Sequence, residues 1–156
     1  MSILNISLIS DEDEFDVDSS HWADQTNPLL WRYLKPTWMS NPSVCFSLRE
    51  SPPEDYVSFW HTLETTYPEQ IKDVIKSIKR RCQRYKLGST SGFLSLDSWS
   101  LSIDNKELLH FEDCDYPHIG LFYHNPSSSS CVECTSKFLL FATIYQRTHE
   151  SYSLLS

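Results

Sequence analysis

The sequence contains only three glycines among its 156 residues. Phosphate-cradling loops and dinucleotide-binding turns need glycines at fixed spacing, because the backbone must approach the phosphate closely in conformations that glycine allows. The scarcity of glycine therefore excludes nucleotide-binding proteins built on such loops. A Gly-x-Ser-x-Gly motif is also absent, so the chain lacks the nucleophile turn that is typical of α/β-hydrolases.

Long apolar segments and disulfide spacings are missing as well. No stretch of the sequence approaches the roughly 20 apolar residues that span a bilayer. The N-terminal residues show no basic segment followed by a long apolar run. The five cysteines are an odd number without the spacing of a disulfide framework. We therefore expect a protein of a reducing compartment, the nucleus or cytoplasm, that neither spans a membrane nor is secreted.

Aromatic and apolar side chains, by contrast, are abundant. Aromatic residues form 13% and hydrophobic residues 40% of the chain, which is too rich for a disordered polypeptide because such residues repay the entropy of ordering when buried. The length suffices for one core. We expect a single domain over residues 20–150, a disordered acidic tail over 1–19 and a short tail over 151–156.

The expected fold class is α+β, with two central helices followed by an antiparallel β-meander. Ser51 suits the N-cap of the first helix. The apolar face of that helix would be formed at i, i+3, i+4 and i+7 by Tyr56, Phe59, Trp60 and Leu63. The second helix is predicted to follow Pro68 and to end before Gly88. Its apolar stripe consists of Ile71, Val74, Ile75, Ile78, Cys82 and Tyr85.

Shorter elements are predicted around these two helices. Residues 27–36 indicate a short helix and residues 43–48 a strand. After Gly88, five short runs indicate strands of the meander. The last of these runs is also compatible with a helix capped by Thr135 or Ser136, because short apolar runs do not distinguish helix from strand by period. The five runs occupy residues 92–97, 99–104, 107–112, 118–124 and 137–146.

Charge is segregated along the chain. The net charge is −8, yet residues 72–86 hold seven of the thirteen basic residues and one acidic residue, so this segment carries +6 and the remainder −14. The predicted second helix presents cations that can neutralise phosphates. The alternatives are nucleic-acid or phosphoinositide binding by segment 68–86 and a solvated or protein-binding face. The candidate residues are Lys76, Lys79, Arg80 and Arg84.

Part of the basic segment resembles the box by which many substrate receptors insert a helix into elongin B/C. Ser77, Ile78 and Cys82 stand at the positions of the small residue, the leucine and the cysteine of that box. Lys86 stands where the box has an aliphatic residue. The resemblance implies a helix that docks on a partner, whereas core packing by Ile78 and Cys82 is the alternative.

A short apolar run followed by acidic residues occupies the N-terminal region. Such a segment can add a strand to the edge of a partner sheet, with carboxylates over a basic border. The pattern resembles the SUMO-interacting motif of many nuclear proteins, which implies a SUMO-like partner. The alternatives are an acidic run that lies along the basic helix of the same chain, an edge strand that residues 2–9 add to the protein's own sheet, and a segment that only aids solubility. The residues are Ile6, Leu8, Ile9, Asp11, Glu12, Asp13 and Glu14.

Cysteines and histidines concentrate between residues 114 and 134. Cys131 and Cys134 have the spacing that lets two thiolates bind one tetrahedral zinc ion. Two further ligands for a structural zinc would come from Cys114 and from His118 or His124. The alternatives are a sheet decorated by these side chains and, less favoured, a cysteine nucleophile paired with a histidine.

Taken together, these patterns favour a non-enzymatic protein–protein interaction adaptor or the regulatory subunit of a complex. No sequence motif defines a reaction, which is the reason for preferring a non-enzymatic protein. The alternative is a nucleic-acid-binding protein that uses the basic segment 68–86. A cysteine-dependent enzyme is the third interpretation. The expected cofactor is none, or one structural zinc ion.

Overall fold

The computed structural model describes residues 27–83, 86–148 and 151–154. These residues form one antiparallel sheet, three α-helices and four short 3-10 helices. The α-helices are α1 (Tyr67–Arg81), α2 (Ser98–Asp104) and α3 (Val132–Phe138). The strands are β1 (Leu29–Leu34), β2 (Val57–Trp60), β3 (Gly92–Asp97), β4 (Leu109–Asp113), β5 (His118–Tyr123), β6 (Ala142–Thr148) and β7 (Ser151–Leu154).

The sheet has the strand order β4-β5-β2-β1-β3-β6-β7, and neighbouring strands are antiparallel. Both faces are covered at the centre of the sheet, where the side chains of β1 alternate between two cores. Leu30 and Leu34 belong to the core that includes Phe46 of the 3-10 helix Pro42–Phe46 and Phe138 of α3. Trp31 and Tyr33 belong to the core beneath α1.

Helix α1 is amphipathic, as its sequence predicts. Ile71, Val74 and Ile78 are buried in the core beneath it, while lysines and arginines occupy the outer side. Pro68 lies in the first turn, where a missing N–H costs no helical hydrogen bond. The helix ends at Arg81, within the segment assigned to it from sequence.

The α+β class and the antiparallel sheet are confirmed, but the predicted order of two central helices followed by a meander is wrong. The segment assigned to the first helix contains β2, and residues 27–36 contain β1 instead of a short helix. Both strands lie in the middle of a sheet that is covered on both faces, so their apolar residues do not alternate with polar ones. Such strands are not distinguishable from buried helices by period.

Other short segments also differ from expectation. Residues 99–104 lie in α2, where the Asp97 carboxylate accepts a hydrogen bond from the Ser100 N–H at 3.0 Å and caps the helix. Residues 43–48 fall largely in a 3-10 helix. The run 137–146 is helical at its start and becomes β6 at Ala142. Strand β7 continues the sheet to Leu154, beyond the predicted domain end at residue 150.

None of the helices in the part of the chain that the structure describes is both long and apolar enough to cross a membrane.

Candidate functional site

The central strands β1 and β2 are joined at a single point. Trp31 pairs with Trp60, and a continuous antiparallel ladder would next place Tyr33 opposite Ser58, but that pair does not form. Each strand instead pairs along its whole length with its other neighbour, β1 with β3 and β2 with β5. The sheet therefore parts between β1 and β2 beyond the two tryptophans, and we call this opening the fork.

Arg32 fills the fork. Its Nε donates a hydrogen bond to the Cys45 carbonyl and its Nη1 donates one to the Ser58 carbonyl, both at 2.8 Å. Its guanidinium carbon also lies 5.1 Å from the ring centre of Trp38 and 6.0 Å from that of Phe59. These contacts hold the guanidinium in one place between the separated strands.

The positive charge of Arg32 has no counter-ion among the described residues. No described carboxylate forms an ion pair with it. The neighbouring Cys45 does not supply a negative charge, because burial raises the pKa of its thiol to about 11. A partly buried charge held by neutral carbonyls alone is the environment in which an anionic ligand is bound favourably.

A cleft of about 590 Å³ opens at the fork. Four cationic side chains line it, and Glu54 is the carboxylate among the lining residues. Glu54 is engaged by Arg49: it accepts a hydrogen bond from the Arg49 N–H at 2.7 Å, and the two side chains lie 3.9 Å apart. The lining side chains therefore carry a positive excess. The cations are Arg32, Lys35, Arg49 and Arg81.

Aromatic side chains form the walls of the cleft. The ring of Trp60 stacks on that of His118 with centroids 4.7 Å apart, and Trp38 lies beneath the Lys35 ammonium at 5.0 Å from its ring centre. Trp38, Trp60 and His118 all line the cleft. Aromatic walls beside several cations suit a ligand that carries an anionic group and has apolar parts that pack against the rings.

His118 is fixed as a neutral imidazole. Its Nδ1 lies 3.2 Å from the Cys114 carbonyl oxygen and its Nε2 lies 2.9 Å from the Ser58 hydroxyl. Since a carbonyl only accepts, Nδ1 carries the proton and Nε2 accepts from Ser58. Burial first, and then the positive charge of Arg81, lower the pKa of His118. The imidazole therefore adds shape and no charge to the cleft at neutral pH.

The predicted basic surface lies beside the cleft. Lys76, Lys79 and Arg80 are exposed on α1, whereas Arg84 lies outside the described residues. Arg32, Lys35 and Arg49 were not predicted as site residues from the sequence, because they meet in one cleft only where strands β1 and β2 separate. One signal was present, namely a lone arginine inside the otherwise apolar run "LLWRYL". Arginine in a buried strand requires partners.

The resemblance to the elongin-binding box does not fit this structure. Ser77 and Ile78 are buried against the sheet of the same chain. Insertion into a partner requires these positions to be accessible. The alternative was core packing by Ile78 and Cys82. The structure agrees with it for Ile78, which is buried, but not for Cys82, which is exposed at the end of α1.

The five predicted metal ligands are not brought together at one point, although Cys131 lies beside Cys134 and His118 contacts the Cys114 carbonyl. His118 contacts Ser58, His124 contacts His110 at 2.9 Å, and the Cys134 N–H donates to the Cys131 sulfur at 3.4 Å. Within residues 27–83, 86–148 and 151–154, no group of three or more His, Cys, Asp or Glu side chains is placed to hold a metal ion. The structural zinc ion therefore stays a prediction that a metal analysis tests.

The predicted pairing of a cysteine nucleophile with a histidine is not formed among these residues either. The Cys131 and Cys134 thiols interact with each other, and this hydrogen bond lowers the pKa of Cys131 and raises that of Cys134. His118 and His124 make their hydrogen bonds elsewhere. The acidic run with Ile6, Leu8, Ile9, Asp11, Glu12, Asp13 and Glu14 lies outside the described residues, so its SUMO-like docking stays a prediction.

Comparison with known proteins gives no counterpart: no protein-family model, curated protein or solved structure matches the chain. The fold and the cleft therefore define the class by themselves. The chain is an antiparallel α+β protein with a forked sheet and a cationic, aromatic-walled cleft at the fork.

Proposed function

We propose that the protein is a non-enzymatic adaptor that binds an acidic segment of a partner protein in the cleft. The single observation that carries this proposal is the Arg32 guanidinium, held by two carbonyls in the fork without a carboxylate partner among the described residues. An acidic group bound there supplies the missing negative charge. Because the guanidinium is already fixed, little side-chain entropy is lost on binding.

The aromatic walls favour a protein segment over an isolated ion. The half-buried Trp38 and the more deeply buried Trp60 line the cleft, so that the residues flanking an acidic side chain can pack beside aromatic rings. Aromatic and arginine side chains in a recess are also the residues that dominate binding energy at protein interfaces. The cleft is thus suited to an acidic side chain together with its apolar neighbours.

The proposal is tested by titrating the full chain with an Asp- and Glu-rich peptide while tryptophan fluorescence is recorded. We expect Arg81→Gln and Arg32→Met to weaken binding by about tenfold each, since removal of one charged hydrogen-bonding partner costs roughly 1.5–3 kcal/mol. A peptide of equal length with Asn and Gln in place of the acids is expected not to bind.

The matched control is Lys72→Gln. Lys72 is a cation of α1 that forms a surface ion pair with Glu69 at 3.5 Å and does not line the cleft. Its loss is expected to change affinity by less than about twofold, because exposed pairs contribute little. Equal affinity for all three variants and the unmodified chain would disprove binding in the cleft.

A nucleic-acid-binding function is the second candidate, favoured by the exposure of Lys76, Lys79 and Arg80 on α1. If this surface binds phosphodiesters, affinity for single-stranded DNA or RNA falls steeply with salt and is lost when these residues and Arg84 are changed to Glu. If the adaptor proposal holds, the same changes leave peptide binding in the cleft nearly intact. The two functions therefore depend on different side chains.

A further inference from the structure

We propose that the acidic group for which the cleft is built is a phosphomonoester, a phosphoserine or phosphothreonine in the partner segment. This inference rests on the proposed function and adds the chemical class of the ligand. Three features of the cleft support it. They are the number of cations without a carboxylate partner, the fixed orientation of Arg32, and the position of two cations beside an aromatic ring.

The first feature is the charge that a ligand must balance. Arg49 is matched by Glu54, whereas Arg32, Lys35 and Arg81 have no ion-pair partner among the described residues. A single carboxylate supplies one negative charge. A phosphomonoester supplies about 1.5–2 negative charges at pH 7 and three acceptor oxygens on one atom. It therefore balances more of the unpaired positive charge that lines the cleft than a single carboxylate does.

The second feature is the fixed orientation of Arg32. A guanidinium has five N–H donors, and the Cys45 and Ser58 carbonyls engage its Nε and one N–H of Nη1. The three remaining N–H groups, one on Nη1 and two on Nη2, lie in the plane of the guanidinium. That planar arrangement matches the spacing of phosphate oxygens, and arginine is favoured at sites where bidentate recognition of phosphate matters.

The third feature is the pairing of two cations with one indole. The Arg32 guanidinium and the Lys35 ammonium lie 5.1 and 5.0 Å from the centre of the Trp38 ring. The negative face of the ring attracts both charges and offsets part of their repulsion. The Trp38 ring therefore has two cations beside it before a ligand arrives, and a dianion interacts favourably with both.

The experiment uses the full chain and three synthetic peptide mixtures that differ at one central position. The fixed residue is phosphoserine, serine or glutamate, and the flanking positions are randomised with Asp and Glu enriched. Affinity is measured by fluorescence anisotropy at about 0.15 M salt, where surface charges more than about 8 Å apart are largely screened. We expect the phosphoserine mixture to bind at least tenfold more tightly than the glutamate mixture and at least thirtyfold more tightly than the serine mixture.

Variants locate the preference in the cleft. Arg32→Lys keeps the positive charge and removes the planar set of guanidinium N–H donors. It is therefore expected to abolish most of the preference for phosphoserine over glutamate. Arg81→Gln changes an exposed side chain at the end of α1 and tests the same preference if Arg32→Lys fails to fold. Lys72→Gln is the control and is expected to leave the preference unchanged.

The outcomes separate the two proposals. Equal binding of the phosphoserine and glutamate mixtures overturns the phosphomonoester inference and leaves the adaptor proposal standing. No binding of any acidic mixture overturns both. A single-stranded oligonucleotide, whose phosphodiesters carry one charge each, is a further arm, and a preference for it that is lost on Arg32→Lys overturns the inference in favour of a nucleic-acid ligand.

Discussion

At the scale of single residues, the cleft joins one charged group to one neutral titratable group. Arg32 is held by carbonyls in the fork, and His118 is held neutral by Ser58 and the Cys114 carbonyl. The two side chains meet at Ser58, whose carbonyl accepts from Arg32 and whose hydroxyl donates to His118. The position of both side chains therefore depends on one residue of β2.

His118 makes folding stability depend on pH. Burial, with a smaller contribution from Arg81, lowers its pKa below the ordinary value of 6.5. The unfolded chain therefore binds a proton as the pH falls through 6.5, while the folded chain resists protonation. The stability that this side chain contributes is fully present above pH 6.5 and is lost progressively as the pH falls towards the lowered pKa.

We expect the free energy of unfolding, measured in urea, to decrease between pH 7.5 and pH 5.5. Carboxylates contribute to this decrease, so the test is a comparison with His118→Gln. That variant is less stable at pH 7.5 because it loses the two hydrogen bonds in their present geometry. Its decrease over the same pH interval is expected to be smaller, and an equal decrease in both proteins would contradict the assignment.

At the scale of elements, a long helix with one side facing solvent is recognisable from the sequence. Helix α1 is recognisable because Ile71, Val74 and Ile78 form a stripe opposite its charged face. Strands β1 and β2 are not recognisable, since they are central and covered on both sides. Helix α2 was predicted as a strand, because it is short and its polar and apolar residues alternate as they do in a strand.

The site was less predictable than the fold. Arg32, Arg49 and Arg81 come from three elements or loops that are distant in sequence. Their proximity depends on strand pairing that stops after Trp31 and Trp60, and no local pattern encodes where a ladder stops. The charge of α1 was recognisable from the sequence. The aromatic residues were visible too, but aromatic side chains are as frequent in cores as at binding sites.

The fork itself gives a prediction for Arg32→Met. Methionine has a similar length and no donor, so the Cys45 and Ser58 carbonyls lose their partners in the fork. We expect a loss of about 2–4 kcal/mol in the free energy of unfolding, because hydrogen bonds to charged groups contribute roughly 1.5–3 kcal/mol and partial relaxation recovers some of it.

The matched control for this measurement is Lys35→Met. Lys35 contacts the ring of Trp38 but donates no hydrogen bond to the strands, so its replacement is expected to cost less than about 1 kcal/mol. Chemical denaturation of both variants gives the comparison. An Arg32→Met protein as stable as the unmodified chain would show that the guanidinium does not hold the separated strands.

At the scale of the whole molecule, a cationic cleft belongs to an acidic chain. The net charge is −8, while the lining side chains of the cleft carry four cations and one carboxylate. An anionic ligand is therefore repelled at long range and attracted at short range. Since long-range electrostatics act mainly on association rates, the acidity of the chain is expected to slow the capture of an anionic ligand.

This arrangement predicts the effect of neutralising the acidic run in the full chain. Changing Asp11, Glu12, Asp13 and Glu14 to Asn or Gln shifts the net charge from −8 to −4. The association rate constant for the acidic peptide, measured by stopped-flow tryptophan fluorescence, is expected to rise by about three- to tenfold at roughly 0.02 M salt and by less than about twofold at roughly 0.5 M.

The control for this experiment changes the same segment without changing its charge. Ala at Ile6, Leu8 and Ile9 removes the apolar half of the run and keeps all four acids, so the association rate constant is expected to stay as it is in the unmodified chain. A rate that rises equally at both salt concentrations would contradict long-range repulsion, because screening acts on charge and leaves direct apolar contacts in place. A rate that rises in the Ala variant would instead show that the apolar residues themselves hinder access to the cleft.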